Sequence, residues 1–229
     1  MLRAFGNGLW LVEGPVVDGA AGFRYPTRMA ILRGAEEGLA IWSPVAITPE
    51  LRAEVTALGP VRQIVAPNAL HHLYLKDWAS AFPAAEVLAA PRLVAKRFDI
   101  RFDGELPQDA PAAWGGRIET VLCPNRIAPE VVFYHAESRA VLVSDLLQRL
   151  PKGWFTGWRG WVARMDRMTE AEPTVPRKFR MATNDRAAAR AAVARMIGWA
   201  PERLVIAHGA PVEAGATEVL RRAFGWLSP

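Results

Sequence analysis

The 229-residue sequence is poor in metal-binding and redox side chains, with one cysteine, Cys123, and four histidines. A single thiol excludes an internal disulfide and every cysteine-rich zinc module, so a metal site here must draw on histidine and carboxylate. No apolar run reaches the roughly 18 residues that a membrane-spanning helix needs. The N-terminal stretch MLRAFGNGLWLVEGPVV also lacks the unbroken apolar core and small-residue cleavage site of a signal peptide. Broken by Gly6, Asn7, Gly8 and Glu13, it reads as a first strand entering a sheet, and the protein reads as cytoplasmic. Internal repeats and low-complexity linkers are absent too, which argues for a single domain over 1–229.

What is present suits a folded globule: 51% hydrophobic residues rule out a disordered chain, and 22% charged residues cover a surface. The formal charge is +5, from 28 Lys+Arg and 23 Asp+Glu. That excess is local. Between Arg149 and Arg180 stand eight basic residues and three acids (Asp166, Glu170, Glu172), an excess of five that accounts for the whole balance. Such a patch bears on partners and not on fold.

Short apolar runs at Leu9–Val12, Arg28–Leu32 and Leu39–Ser43, separated by turn signals, predict strands of a meander. Thr48-Pro49-Glu50 predicts a helix start, with Thr48 as the cap and Pro49 where its missing N–H costs nothing, and Gly59-Pro60 predicts its end. A strand at 62–66, a helix at 73–82, a short strand at 86–89 and a helical turn at 91–97 follow. Strands are expected again at 118–123, 130–135 and 140–144, the last two a hairpin around 136–139. An alanine-rich helix at 185–199 capped by Asn184, a buried strand at 204–207 and a closing helix at 213–227 complete the pattern. Sheets packed together with helices outside are the natural outcome.

Three of these strands run into polar loops, where ligand-binding residues concentrate. They are Ile64-Val65-Ala66-Pro67-Asn68-Ala69-Leu70-His71-His72, then Ala140–Ser144 ending on Asp145, then Leu204–Ala207 ending on His208-Gly209. Their order and spacing resemble the metallo-β-lactamase superfamily. In that superfamily a strand runs into H-x-H-x-D-H, a P-G-H turn precedes a hairpin ending in a metal-bridging Asp, and a last strand ends in H-G. The resemblance covers nearly the whole chain and implies an α+β fold, a four-layer αββα sandwich with a metal site at one edge. More narrowly, the chain is similar to an uncharacterised, domain-of-unknown-function branch of the superfamily.

The departures matter as much. Pro67 and Ala69 stand where the first two histidines belong, and Arg126, in Pro124-Asn125-Arg126, stands for the histidine of the turn. The first metal site is therefore missing. The second keeps metal-binding residue types at all four positions: His71, His72, Asp145 and His208. Three imidazoles and a carboxylate suit zinc, or else iron, while magnesium and calcium want oxygen. The resemblance then implies a hydrolase with one divalent metal and a metal-bound water as nucleophile, with Asp145 and Arg126 as catalytic residues and Arg126 stabilising the developing anion. Four protein ligands tend to close a zinc site, so one would have to stay away for catalysis. The same residues also read as plain helix-start and turn chemistry, which makes a non-catalytic binding protein with a vestigial or absent metal the alternative. Tyr74, Lys76 and Asn68 lie close enough to orient a substrate, though ordinary loop and helix roles serve them equally. His135, away from the three loops, reads as structural.

Trp154, Trp158, Trp161, Met165 and Met168 recur at helical spacing among arginines, with Gly153, Gly157 and Gly160 weakening the helix. The segment at about 148–182 reads as an insertion or lid, its stripe covering the core or a homodimer partner. An interfacial membrane helix and a nucleic-acid stacking surface are the other readings. Nucleic acid is the weakest, since the two-metal motif that phosphodiester chemistry in the superfamily commonly uses is missing. The expected partner is a small-molecule substrate whose identity no motif specifies.

Overall fold

A computed structural model describes residues 1–106 and 114–227. Its first half pairs the expected apolar runs in sequence: β1 (Arg3–Gly6), β2 (Leu9–Glu13), a short hairpin of β3 (Val17–Asp18) and β4 (Arg24–Tyr25), then β5 (Arg28–Arg33) and β6 (Leu39–Trp42). Helix α1 (Pro49–Leu58) begins where Thr48 accepts a hydrogen bond from the Leu51 N–H at 3.2 Å, and leads to β7 (Val61–Ala66). Helix α2 (Leu75–Ala81), β8 (Glu86–Ala89) and β9 (Gly104–Glu105) follow. Apart from β3 and β4 these strands form a seven-stranded sheet in the order β1-β2-β5-β6-β7-β8-β9. It is antiparallel as far as β6 and parallel beyond, because α1 and α2 carry the chain back between strands.

The second sheet has the order β10 (Ile118–Cys123), β11 (Glu130–His135), β12 (Ala140–Val143) and β13 (Arg203–Ile206), with β12 and β13 parallel. The long crossover between those two carries α3 (Gly157–Met165), α4 (Arg177–Met181) and α5 (Arg186–Gly198), and α6 (Ala216–Phe224) closes the chain.

Strand alternation sorts side chains into layers. Ala30 and Leu32 of β5 meet Ala140 and Leu142 of β12 in a core between the sheets, together with Trp42 and Phe133. The intervening Met29 and Ile31 face outward and pack on Leu51, Val55 and Trp78 of α1 and α2. On the other side Val141 and Val143 pack on Ala192 and Met196 of α5 and Leu220 of α6. The result is the four-layer αββα sandwich.

Several boundaries move, each for a local reason. Asp185, not Asn184, caps α5, accepting from the Ala188 N–H at 2.9 Å. The closing helix starts only at Ala216, because 211–212 stay extended and Val212 pairs with Leu204. Residues 91–97 form turns without becoming a helix. The Trp/Met stripe is helical only over Gly157–Met165, so Trp154 and Met168 fall outside the helix.

Candidate functional site

The parallel strands decide where the site lies. Strand β7 of the large sheet and β12 and β13 of the small one all end at the same edge, as ligand-binding loops of parallel strands do. They deliver His71, Asp145 and His208 to one point, where one ligand atom from each lies within 4.8 Å of the others. The His71 Nε2 is 3.2 Å from Asp145 Oδ2, the His208 Nε2 is 3.4 Å from Asp145 Oδ1, and the two imidazole centroids are 5.1 Å apart. Asp145 and His208 are buried.

Each ligand atom is aimed from behind. The His208 Nδ1–H donates to the Pro26 carbonyl at 2.8 Å, so in the neutral ring the Nε2 lone pair is turned toward Asp145. The His71 Nδ1 is 2.7 Å from the Ser43 hydroxyl, at the end of β6. Two acceptors facing each other across little more than 3 Å are repulsive without a cation or proton between them. Two ligands at about 2.0–2.2 Å from a tetrahedral zinc stand about 3.3–3.6 Å apart. Each imidazole lies about that far from one Asp145 oxygen, His71 from Oδ2 and His208 from Oδ1, and the three donors together lie within 4.8 Å. The donor set and its spacing therefore fit a divalent metal.

Beneath the cluster lies a buried polar floor. Glu130 accepts hydrogen bonds from the Ser144, Asp145 and Leu146 N–H groups at 2.6, 2.8 and 3.1 Å, which fixes the turn carrying Asp145. Asn68 is fully buried and bridges two carboxylates: its Nδ2 is 2.7 Å from Asp145 Oδ2 and 3.3 Å from Glu130 Oε2. Its Oδ1 accepts from the Leu70 and His71 N–H groups, an Asx turn that starts the His71 loop. Burial pushes the Asp145 carboxyl upward, but the His71 and His208 imidazoles hold it well below the ordinary carboxylate value. Glu130, with burial and the Asp145 charge both acting on it, is raised in spite of its N–H donors. Arg28 braces the His208 loop: its guanidinium pairs with Glu13 at 2.8 Å and donates to the Ile206 and Gly209 carbonyls.

Two expected site residues are not brought to the cluster. Adjacent side chains diverge where the chain enters α2, so His72 turns toward Arg97, whose Nη1 is 2.7 Å from His72 Nδ1. Burial, with Lys96 and Arg97 nearby, pushes the His72 imidazole down to about 4. Three of the four expected donors meet at the cluster, and a four-coordinate metal held by three protein donors would keep an open position. The exposed Arg126 accepts from Arg92 through its carbonyl and does not line the cavity at the cluster. That cavity, of about 170 Å³, is bordered by Asp18, Thr27, Ser43, His72 and Tyr74 besides the three ligands. His135 is buried in the hairpin, its ring held by the Ser138 hydroxyl and the Arg33 carbonyl.

Glu130, Arg28 and the Asp145-bridging role of Asn68 went unread in the sequence. The one available signal was polarity out of place: an acid opening the apolar strand EVVFYH, and an arginine opening the buried strand RMAILR.

Comparison with solved structures shows the same fold. A metallo-β-lactamase from Pontibacter korlensis superposes with a TM-score of 0.65 at 16% identity, covering 99% of this chain and 98% of that one. The metallo-β-lactamase FIM-1 from Pseudomonas aeruginosa, in its mono-zinc form, gives 0.62 at 15% identity over 100% and 96%. A metal-soaked flavodiiron core, Flv1 from Synechocystis, gives 0.65 at 13% identity over 99% of this chain and 60% of that one. A search of curated proteins finds no match. One family model matches residues 9–225, so the chain belongs to the DUF4336 family, a domain of unknown function, here built on the metallo-β-lactamase fold.

Proposed function

We propose that the protein is a metal-dependent hydrolase with a single divalent cation, zinc before iron, held by His71, Asp145 and His208. The observation that carries the reading is the orientation of His208, whose Nδ1–H is tied to a backbone carbonyl so that its Nε2 faces the buried carboxylate 3.4 Å away. When bound, the cation supplies Lewis-acid polarisation of a carbonyl or phosphoryl oxygen and makes a water molecule acidic near neutral pH. The chain's residues do the rest. Asn68 holds the Asp145 carboxylate, Glu130 holds the backbone turn that carries it, and Ser43 and the Pro26 carbonyl hold the imidazoles. Asp18 and Tyr74, on the cavity wall, are placed to meet a substrate. Three ligands in place of four favour catalysis over a closed structural site.

The test is metal analysis of protein purified without a histidine tag, after growth with zinc and iron supplied. One equivalent is expected, lost in His71→Ala and His208→Ala and kept in His72→Ala. Wild-type protein holding under about one-tenth of an equivalent would leave only the non-catalytic binding role.

A further inference from the structure

A second, larger cavity lies beside the cluster. Its volume is about 820 Å³, within the roughly 300–1,000 Å³ of small-molecule pockets. We infer that it takes the hydrocarbon chain of an acyl substrate whose carbonyl reaches His71, Asp145 and His208. The chain's fate at the cluster rests on the hydrolase reading; its binding does not.

The lining is mostly apolar, with Asp166, Arg177 and Lys178 as its charged members. One wall is aromatic: Phe23 and Tyr25 on the β3–β4 hairpin, with Phe23 packed edge-on to Phe155 and Trp158 at 4.9 and 5.8 Å. Met165, Met168 and Met181, three of the six methionines in the sequence, also line the cavity, Met168 within the same buried cluster as Phe23 and Phe155. Unbranched thioethers adjust to the shape of a flexible chain, which a rigid ring system would not require.

The hairpin is a shared partition. Val17 on β3 borders the small cavity, while Tyr25 on β4 borders the large one with its ring centroid 5.2 Å from that of His208. A chain lying against Tyr25 therefore presents its end group to the cluster. Cations stand at the same wall: the Lys178 Nζ is 5.9 Å from the centre of the Tyr25 ring. Arg177 borders the cavity and makes no side-chain ion pair among the described residues. Lys178 is already paired at 3.4 Å with Asp166 on the same wall, so Arg177 is the cation left to complement the carboxylate that hydrolysis releases.

Of the exposed apolar side chains here, Trp161, Met165 and Met181 border the concavity, and Trp154 and Trp158 lie outside its lining. A stable homodimer instead buries about 800 Å² on each partner. In the reaction, water adds to the carbonyl of R–CO–X, where X is an alkoxy or thiolate group. A C–O bond forms, the C–X bond breaks, X leaves with one proton as HX, and the acid releases the other to solvent as R–COO⁻.

The test titrates the full chain, supplied with zinc, with the fluorescent fatty acid cis-parinaric acid, using dodecanoate and butyrate as competitors. Saturable binding displaced by dodecanoate and not by butyrate is expected. Met165→Glu should weaken it about tenfold or more, since a carboxylate on the wall removes apolar contact. Met181→Glu, at a side chain 86% exposed, repeats the test where folding is not at stake. Absence of saturable binding overturns the proposal, as does unchanged affinity in both variants. A dimer in sedimentation that Met165→Glu dissolves, or attachment to phosphatidylglycerol vesicles, without fatty-acid binding overturns it as well. The two readings fail separately: wild-type protein that binds the fatty acid but no zinc keeps the pocket and loses the hydrolase, and zinc without fatty acid does the reverse.

Discussion

The floor under the histidine–aspartate cluster and the cover over the neighbouring cavity are built by opposite means. On the floor, Asn68 and Glu130 are fully buried and every polar group named above has a partner. On the cover, Trp161 is 59% exposed and Met181 86% exposed. Three ligand atoms that must converge need a rigid, fully hydrogen-bonded support. A wall that must fit a hydrocarbon needs apolar area and freedom to adjust.

Substitutions should separate the two regions by size of effect. Glu130→Leu leaves the Ser144, Asp145 and Leu146 N–H groups buried without an acceptor and should cost about 3 kcal/mol or more in urea unfolding. Glu130→Gln, which keeps an acceptor, should lose clearly less, and equal losses would show that the floor does not depend on those bonds. Next, Gly209→Ala should cost about 2 kcal/mol, because φ is +136° there and an added Cβ would collide with the Arg149 carbonyl. Asn68→Ala should weaken zinc binding about tenfold or more by isothermal titration, since it frees both Asp145 and the His71 loop.

A smaller effect comes from pH. Burial holds His135 below its ordinary 6.5, so the unfolded chain takes up a proton there before the folded one does. The contribution of this residue is full above pH 6.5 and is lost as pH falls from there toward the depressed folded value. Urea midpoints should decline over that window through His135 and His72 together, and His135→Gln should remove its share of the decline; an unchanged slope would remove His135 as a source. Smallest of all, Met181→Ala on the cover, at a side chain 86% exposed, should change stability by under about 0.5 kcal/mol. A loss several times larger would mean that the cover is structural, as the floor is.

Much of the architecture was legible because apolar runs of strand length are bounded by turn signals: RMAILR and AVLV read as strands, and Thr48-Pro49 announces α1. The three strand ends were legible too, as polar residues closing apolar runs. His72 was not, because the direction of a side chain at a helix entrance depends on what packs there, and Arg97 lies 25 residues further on. Glu130 lies 15 positions from Asp145, and Asn68 lies 77, distances at which pairing leaves no local pattern.

One cysteine and four histidines by themselves determined that a metal site must use imidazole and carboxylate, and that little material was available for a second one. Only the tertiary structure decided that three residues, from strands of two different sheets, form the cluster, and that His72 and Arg126 stand outside it. The physical reason is that residue type sets which atoms can bind a cation. Convergence of those atoms depends on the parallel β12–β13 pairing, the Glu130 floor and the carbonyl at Pro26, all of which exist only once the sheets have closed on each other.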